Sequence, residues 1–391
     1  MRKICLALVD RANWGRVKPV AEAIRANPNL ELSVICGGSM VLSRFKDPAK
    51  QIESEGFNVE HRLYTEIEGS IPLSQARSSG LAQMDFAQAF AESKPDLIYL
   101  VGDRYQAVAV AMAAVTLGIP LIHQQGGEIS GSLDERYRHA ITKLADFHVP
   151  ATERARDNLI RMGERPESIL ATGCPSRDLA DRITAKNDDY ILVAFHPDTN
   201  CPEKAGEQVW QVLDAVIRSG RANVKVMWPN VDAGSGSVGK AIRMFRENFT
   251  WAQNWEYITN VEPIEYLQLL ANAACAVGNS SSFVRDSSFL GTPVVLVGNR
   301  QDGRECGENV MRVPCEFGAI RTDIDRQLLC GRYFPSDLYG KPGISQEIAE
   351  RLATLEPLGD KRLEFSEPRL DVDLCLKRLD DSANRMMAGM K

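Results

Sequence analysis

Short apolar runs alternate with stretches of helical periodicity along nearly the whole chain, and this alternation limits the fold more than any other feature. Residues 3–9, 30–35, 97–101, 120–123 and 147–149 read as strands buried on both faces, because the runs are apolar without a polar residue at every second place. Between them, residues 16–26, 81–92, 106–117 and 135–145 carry apolar side chains at helical spacing. Strands that alternate with helices of about 10–15 residues mean βαβ units and a parallel sheet. The polar stretch at 45–80 is expected to be a mobile connection.

The pattern lapses at 182–189, where Thr184-Ala-Lys-Asn-Asp-Asp189 is polar and aperiodic. A second series then begins, with strands expected at 190–195, 224–227, 257–259, 274–277 and 293–297. The expectation is an α/β chain of two doubly wound Rossmann-like domains, residues 1–183 and 190–370, facing a cleft. A C-terminal helix within 371–391 is expected to cross back to the first domain. A length of 391 residues suits this division, since domains commonly hold about 100–200 residues.

Composition removes several classes of function. A net charge of −6 gives no basic footprint for nucleic acid. No apolar run reaches the roughly 20 residues that span a membrane. The opening Met1–Val9 run is cut by Asp10 and Arg11 without a cleavage site, so it reads as a strand rather than a signal peptide. Nine scattered cysteines lack any C-x-x-C pair, which suggests reduced thiols and a cytoplasmic setting. Five histidines without ligand spacing give no expectation of a metal.

In doubly wound sheets ligands bind beyond the carboxyl ends of the strands, so the loops after strands carry the chemistry. The first, Asp10-Arg11-Ala12-Asn13-Trp14-Gly15, places an arginine beside a helix start, a setting suited to phosphate. The second, Gly102-Asp103-Arg104-Tyr105, sets an acid beside a base. The third, His123-Gln-Gln125-Gly-Gly-Glu128-Ile-Ser-Gly131, puts a glutamate in a glycine loop that permits close backbone approach. It leads into a helix starting with Asp134 and Glu135, with Arg138 one turn on. Asp134 reads first as favourable first-turn charge.

In the second domain His196 follows a strand. Asn279-Ser280-Ser281-Ser282 supplies hydroxyls and backbone N–H groups at a helix start, a phosphate cradle, with Asp286 within reach of a ribose hydroxyl. Arg300, Gln301 and Arg304 lie in a glycine-containing loop suited to covering a charged ligand.

Together these motifs resemble the hydrolysing UDP-N-acetylglucosamine 2-epimerases, over residues 3–315. The most specific are Gly102-Asp103-Arg104, Gly126-Gly-Glu128 with Asp134-Glu135 and Arg138-His-Ala-Ile-Thr-Lys, and Asn279-Ser-Ser with Arg300-Gln301 and Gly303-Arg304. The resemblance implies a glycosyltransferase-B-like fold, a homodimer, and conversion of a UDP-2-acetamido sugar to the free 2-epimer plus UDP without metal or nicotinamide. It implies proton transfers by Asp103, Glu128 and Glu135, and a diphosphate held by His196, Ser281 and Ser282 with Arg11 and Arg138 assisting. Asp286 is implied to hold ribose. Arg104, Gln125, Asn279, Ser280, Arg300, Gln301 and Arg304 complete the expected substrate contacts. Several positions depart from the commoner pattern: Gln106 and Gln125 stand where relatives often have acids, and Phe283 where many have glycine. A glycosyltransferase of the same fold, or a silent nucleotide-sugar-binding protein, are the alternatives.

Overall fold

The computed structural model describes residues 1–363 apart from Asn187, Pro357 and Asp360. The first domain runs β1 (Arg2–Leu8), α1 (Asn13–Ala26), β2 (Leu30–Cys36), α2 (Pro48–Ser54), β3 (Val59–Arg62), α3 (Pro72–Ser93), β4 (Leu97–Val101), α4 (Tyr105–Thr116), β5 (Leu121–Gln124), α5 (Asp134–Leu144), β6 (Phe147–Val149), α6 (Glu153–Arg161) and α7 (Ser176–Ala180). The second runs β7 (Ile191–Ala194), α8 (Ala205–Ile217), β8 (Val224–Met227), α9 (Ser235–Asn248), β9 (Glu256–Ile258), α10 (Pro263–Asn272), β10 (Cys275–Gly278), α11 (Asp286–Leu290), β11 (Val294–Val297), β12 (Val310–Val313) and α12 (Phe317–Cys330). A last helix, α13 (Ile344–Thr354), follows.

Each domain holds one parallel six-stranded sheet, in the orders β3-β2-β1-β4-β5-β6 and β12-β11-β10-β7-β8-β9. The two orders are the same doubly wound topology, with the strand order reversing beside β1 and β4 in one and beside β7 and β10 in the other. Central strands are apolar throughout because helices cover both faces: Ile4, Leu6 and Leu8 face one layer, Cys5 and Ala7 the other. The second sheet divides likewise, with Val193 and Val277 on one side and Leu192 and Ala276 on the other.

Each sheet carries one edge strand more than the patterning predicts. The stretch expected to be mobile holds α2, β3 and the start of α3, which begins at Pro72 rather than near residue 81. At β3 every residue is only partly buried, so Val59-Glu-His-Arg62 shows no apolar run. The other missed edge, β12, pairs with β11 but is largely half-exposed.

The chain crosses back to the first domain earlier than expected. Ile344, Ile348, Ala349 and Leu352 of α13 lie in the first domain's core with Val17, Val20 and Ile24 of α1. The apolar face of α13 thus decides its partner, although it falls within the range expected for the second domain. The helix expected at 371–391 lies outside the described residues.

Candidate functional site

A cleft opens between the carboxyl ends of the two sheets, where both sets of post-strand loops converge. Two glycines make the loop paths possible. At Gly127 (φ +78) a side chain would run into the Ala155 carbonyl, and at Gly278 (φ +145) into that of Ala194.

On the first wall, Arg138 organises the acids. It is fully buried and donates to Oδ2 of Asp103 from Nε (3.0 Å) and Nη2. Nη1 donates to the Glu128 carbonyl (2.9 Å) and to Oε2 of Glu135 (3.1 Å), and Nη2 also reaches Ser130 Oγ (2.9 Å). Burial alone would raise the Asp103 carboxyl. Arg138, with Arg304 and Arg285 behind it, overrides burial and holds Asp103 well below the usual carboxylate range.

The three expected proton carriers fall in different settings. Asp103 lines the cleft. Glu135 ties its helix to the glycine loop: its Oε2 accepts from Ser130 N–H (2.5 Å), and its Oε1 meets His139 Nε2 (3.2 Å). Glu128 is 5% exposed and points to the second domain, where Arg285 grips both oxygens (3.2 and 2.5 Å) and Arg304 approaches Oε2 (3.0 Å). Neither Glu128 nor Glu135 is among the residues that line the cleft.

Asp134 does line it. Among the described residues its carboxylate accepts only from Ser132 Oγ (3.2 Å). Burial, then the negative charges of Asp103 and Asp232, push its carboxyl up to about 7. Its place at the start of α5 was visible in the sequence; its half-buried position beside other acids was not.

The second wall is built from neutral donors and fixed loops. The Asn279 amide ties β7 to β10: Oδ1 accepts from His196 N–H (2.7 Å), and Nδ2 donates to the His196 carbonyl (2.8 Å). The Asn230 N–H approaches His196 Nδ1 (3.3 Å), which assigns the proton of a neutral ring to Nε2. Burial, then the charges of Arg300 and Arg11, pull this histidine down to about 3, so it is neutral across the physiological range. Ser280, Ser281 and Ser282 line the cleft, with Ser280 and Ser282 hydroxyls 2.9 Å apart and Tyr266 bonded to Ser282. Gln301 and Arg300 donate to the Asn279 carbonyl (3.0 and 3.3 Å).

Further groups reach across the cleft. The Arg11 guanidinium lies against the carbonyls of Thr259, Trp228 (2.7 Å) and Pro229 (3.3 Å), and over the Phe45 ring. Arg16 donates to Asp286 Oδ1 (2.5 Å), which also accepts from Ser176 (2.8 Å). Arg104 pairs with Asp232 (2.6 Å), whose other oxygen faces Arg300 (3.5 Å). Asp232 escaped the sequence reading, although it too follows a strand.

The departures from the commoner pattern have separate fates. Gln106 is buried and donates to Glu66 (2.6 Å), outside the cleft. Phe283 is buried in the second core, away from the cleft lining. Gln125 lines the cleft in a left-handed conformation (φ +74). Among the described residues no group of three or more His, Cys, Asp and Glu is set to hold a metal ion, and no helix is long and apolar enough to cross a membrane.

A family model described as UDP-N-acetylglucosamine 2-epimerase matches residues 22–353. The hydrolysing UDP-N,N'-diacetylbacillosamine 2-epimerase of Legionella pneumophila is 28% identical over 91% of this chain and 96% of its own length. The UDP-N-acetylglucosamine 2-epimerase of Neisseria meningitidis is 26% identical over 90% and 94%. Among solved structures, the Methanocaldococcus jannaschii UDP-GlcNAc 2-epimerase with UDP-GlcNAc and UDP shares the fold at a TM-score of 0.73 and 15% identity, covering 90% of this chain and 99% of that one.

Proposed function

The chain belongs to the UDP-N-acetylglucosamine 2-epimerase family, and from that premise we propose that it is a hydrolysing 2-epimerase. Its substrate on this reading is a UDP-2-acetamido sugar, and its products are UDP and the free 2-epimer. The observation that carries the proposal is the pair Asp103 and Asp134. They line one wall of the cleft with carboxyls pushed in opposite directions, opposite the neutral donors His196, Ser281 and Ser282. Two carboxyls driven apart by their surroundings take different roles: Asp134 is poised to exchange a proton near neutrality, whereas Asp103 stays ionised.

The C2 proton of such a sugar is weakly acidic, so its removal needs a base held against it near neutral pH. Asp134 takes that proton. The C2–H pair forms the C1=C2 bond of a 2-acetamidoglycal as the C1–O bond breaks and its electrons leave with UDP. The diphosphate charge is received by His196 Nε2–H, the Ser281 and Ser282 region and Arg300. Asp286 meets the ribose. C2 then takes a solvent-derived proton on the opposite face, and water adds at the C1 cation so formed, losing its extra proton to solvent while the ionised Asp103 stabilises the positive charge.

We further propose a cytoplasmic homodimer joined through the first domain. The α4 sequence YQAVAVAMAAVT has no charged residue, yet Met112 and Val115 are exposed on it, and Met84 is exposed on α3, which packs against α4. Buried free thiols such as Cys5 and Cys174 suit a reducing compartment.

NMR of the purified protein in heavy water tests the reaction, with UDP-GlcNAc and its 2,4-diacetamido analogue as substrates. The expected result is UDP plus a free sugar inverted at C2 and carrying deuterium there. Free sugar with both C2 configuration and proton retained overturns the proposal, as does a product still joined to UDP.

A further inference from the structure

We propose that Glu128 is a positioning residue, the catch on the first domain that seats Arg285 and Arg304 of the second, so that the proton-handling wall is complete only when the domains are closed. The inference rests on the epimerase reading and gives Glu128 a role other than proton transfer.

The geometry leaves little room for a base. Arg285 donates from Nε to Oε1 and from Nη2 to Oε2, which directs both oxygens at one guanidinium (3.2 and 2.5 Å). Arg304 adds a second guanidinium at 3.0 Å. All three side chains are nearly closed to solvent, at 5, 3 and 7% exposure, and the two arginines line the cleft whereas the glutamate stands behind them. A carboxylate in such a clamp is a hydrogen-bond acceptor already filled.

The same residue is wired to the other wall. Its main-chain carbonyl accepts from Arg138 Nη1 (2.9 Å), and Arg138 is the group that fixes Asp103. One short segment therefore joins the second domain's arginines, through Glu128, to the carboxylate of the first wall. On the far side, Arg312 fixes the loop by donating to the carbonyls of Gln301 (2.9 Å) and Arg304 (2.6 Å). Arg304 Nε has no hydrogen-bond partner among the described residues. A buried donor left unfilled in a cleft wall is set to receive an acceptor atom of the substrate.

Opening the cleft pulls Arg285 and Arg304 away from Glu128. Three charges must then be solvated separately, and the segment whose carbonyl holds Arg138 loses its clamp. Because UDP and sugar meet both walls, the closed fraction enters the apparent affinity directly.

The test uses the full chain and the variants Glu128→Gln, Arg285→Met and their combination. Small-angle X-ray scattering is measured with and without UDP, calorimetry with UDP, and UDP release with the sugar nucleotide. Glu128→Gln should scatter as a more open particle and need roughly 10–100-fold more UDP to compact, with KM raised by a similar factor and kcat within a few-fold. Arg285→Met should do the same, and the double variant should be no worse than either single one. Arg285→Met carries the test if Glu128→Gln does not fold. A Glu128→Gln protein as compact as wild type, with KM unchanged and kcat down by about 10²–10⁴, overturns the proposal and makes Glu128 a proton carrier. If the wild type turns over no sugar nucleotide, the epimerase reading falls, while scattering and UDP calorimetry still decide whether the catch exists.

Discussion

In the first domain the loops after β4 and β5 bring Asp103 and Asp134 to the cleft, whereas in the second the loops after β7 and β10 bring His196 and the serines at 280–282. The two sheets share one strand order. What differs is the loop chemistry on an identical frame. The first wall holds ionisable groups with unequal partners: Asp103 is gripped by Arg138, and Asp134 has one hydroxyl. The second wall holds groups that keep one charge state, with His196 pulled down to about 3. The topology puts both loop sets at the strand ends, and only the side chains decide which wall moves protons and which receives an anion.

The largest effect expected from this contrast concerns the first wall. Asp134→Asn keeps the shape and should lower turnover by about 10²–10⁴, with UDP affinity within a few-fold. In the wild type, kcat/KM should rise with pH through about 7 as Asp134 ionises, and the variant should lose that limb. Calorimetry with UDP and a coupled UDP-release assay check both. Loss of UDP affinity with turnover per bound substrate intact would erase the contrast between the walls.

The next effect concerns the second wall. Asp286→Ala should weaken UDP by about 1.5–3 kcal/mol, roughly 10–150-fold, because it removes a charged hydrogen bond and leaves Arg16 without its carboxylate. At saturating substrate, turnover should fall much less. A variant with wild-type UDP affinity would remove Asp286 from the nucleotide site and leave it as an interdomain pair with Arg16.

Much of this frame was legible in the sequence. The central strands announce themselves as apolar runs, since burial on both faces leaves no place for polar residues. The rule that ligands gather after strands located Asp103, His196 and the serines. Edge strands β3 and β12 were not legible, because half-buried strands carry the composition of loops. The return of α13 was hidden too, for an amphipathic helix does not say which core it joins. The site residues misplaced or missed share one cause. Whether Glu128 meets a substrate or two arginines, and whether Asp134 is a solvated first-turn charge or a half-buried acid near Asp103, depends on groups far away in sequence. Phe283 and Gln106, conspicuous as departures, face away from the cleft.

The smallest effect is on stability, and it sharpens the contrast from another side. Asp134 binds its proton more tightly folded than unfolded, because burial and then Asp103 and Asp232 raise its carboxyl from 3.8 to about 7. The sign of the linkage follows: stability contributed by the protonated form is fully present below 3.8 and is lost as pH rises through about 7. Asp134→Asn is neutral at every pH and escapes the loss. Its melting temperature should match wild type near pH 3.5, pull ahead as pH rises, and lead by a constant margin above about pH 7. A margin of about 1–2 kcal/mol corresponds to roughly 2–6 °C for domains of this size. The same substitution should then give a more stable and nearly inactive protein, the trade expected where an acid with a raised carboxyl is kept for function. Asn279 of the second wall offers the control, since it has no charge to titrate: Asn279→Ala should lower the melting temperature by the same amount at every pH, because it breaks the amide bridge to His196. A margin for Asp134→Asn that is equally flat with pH would mean that its carboxyl titrates in the usual range. The first wall would then hold no acid poised near neutrality, and the proton at C2 would need another base.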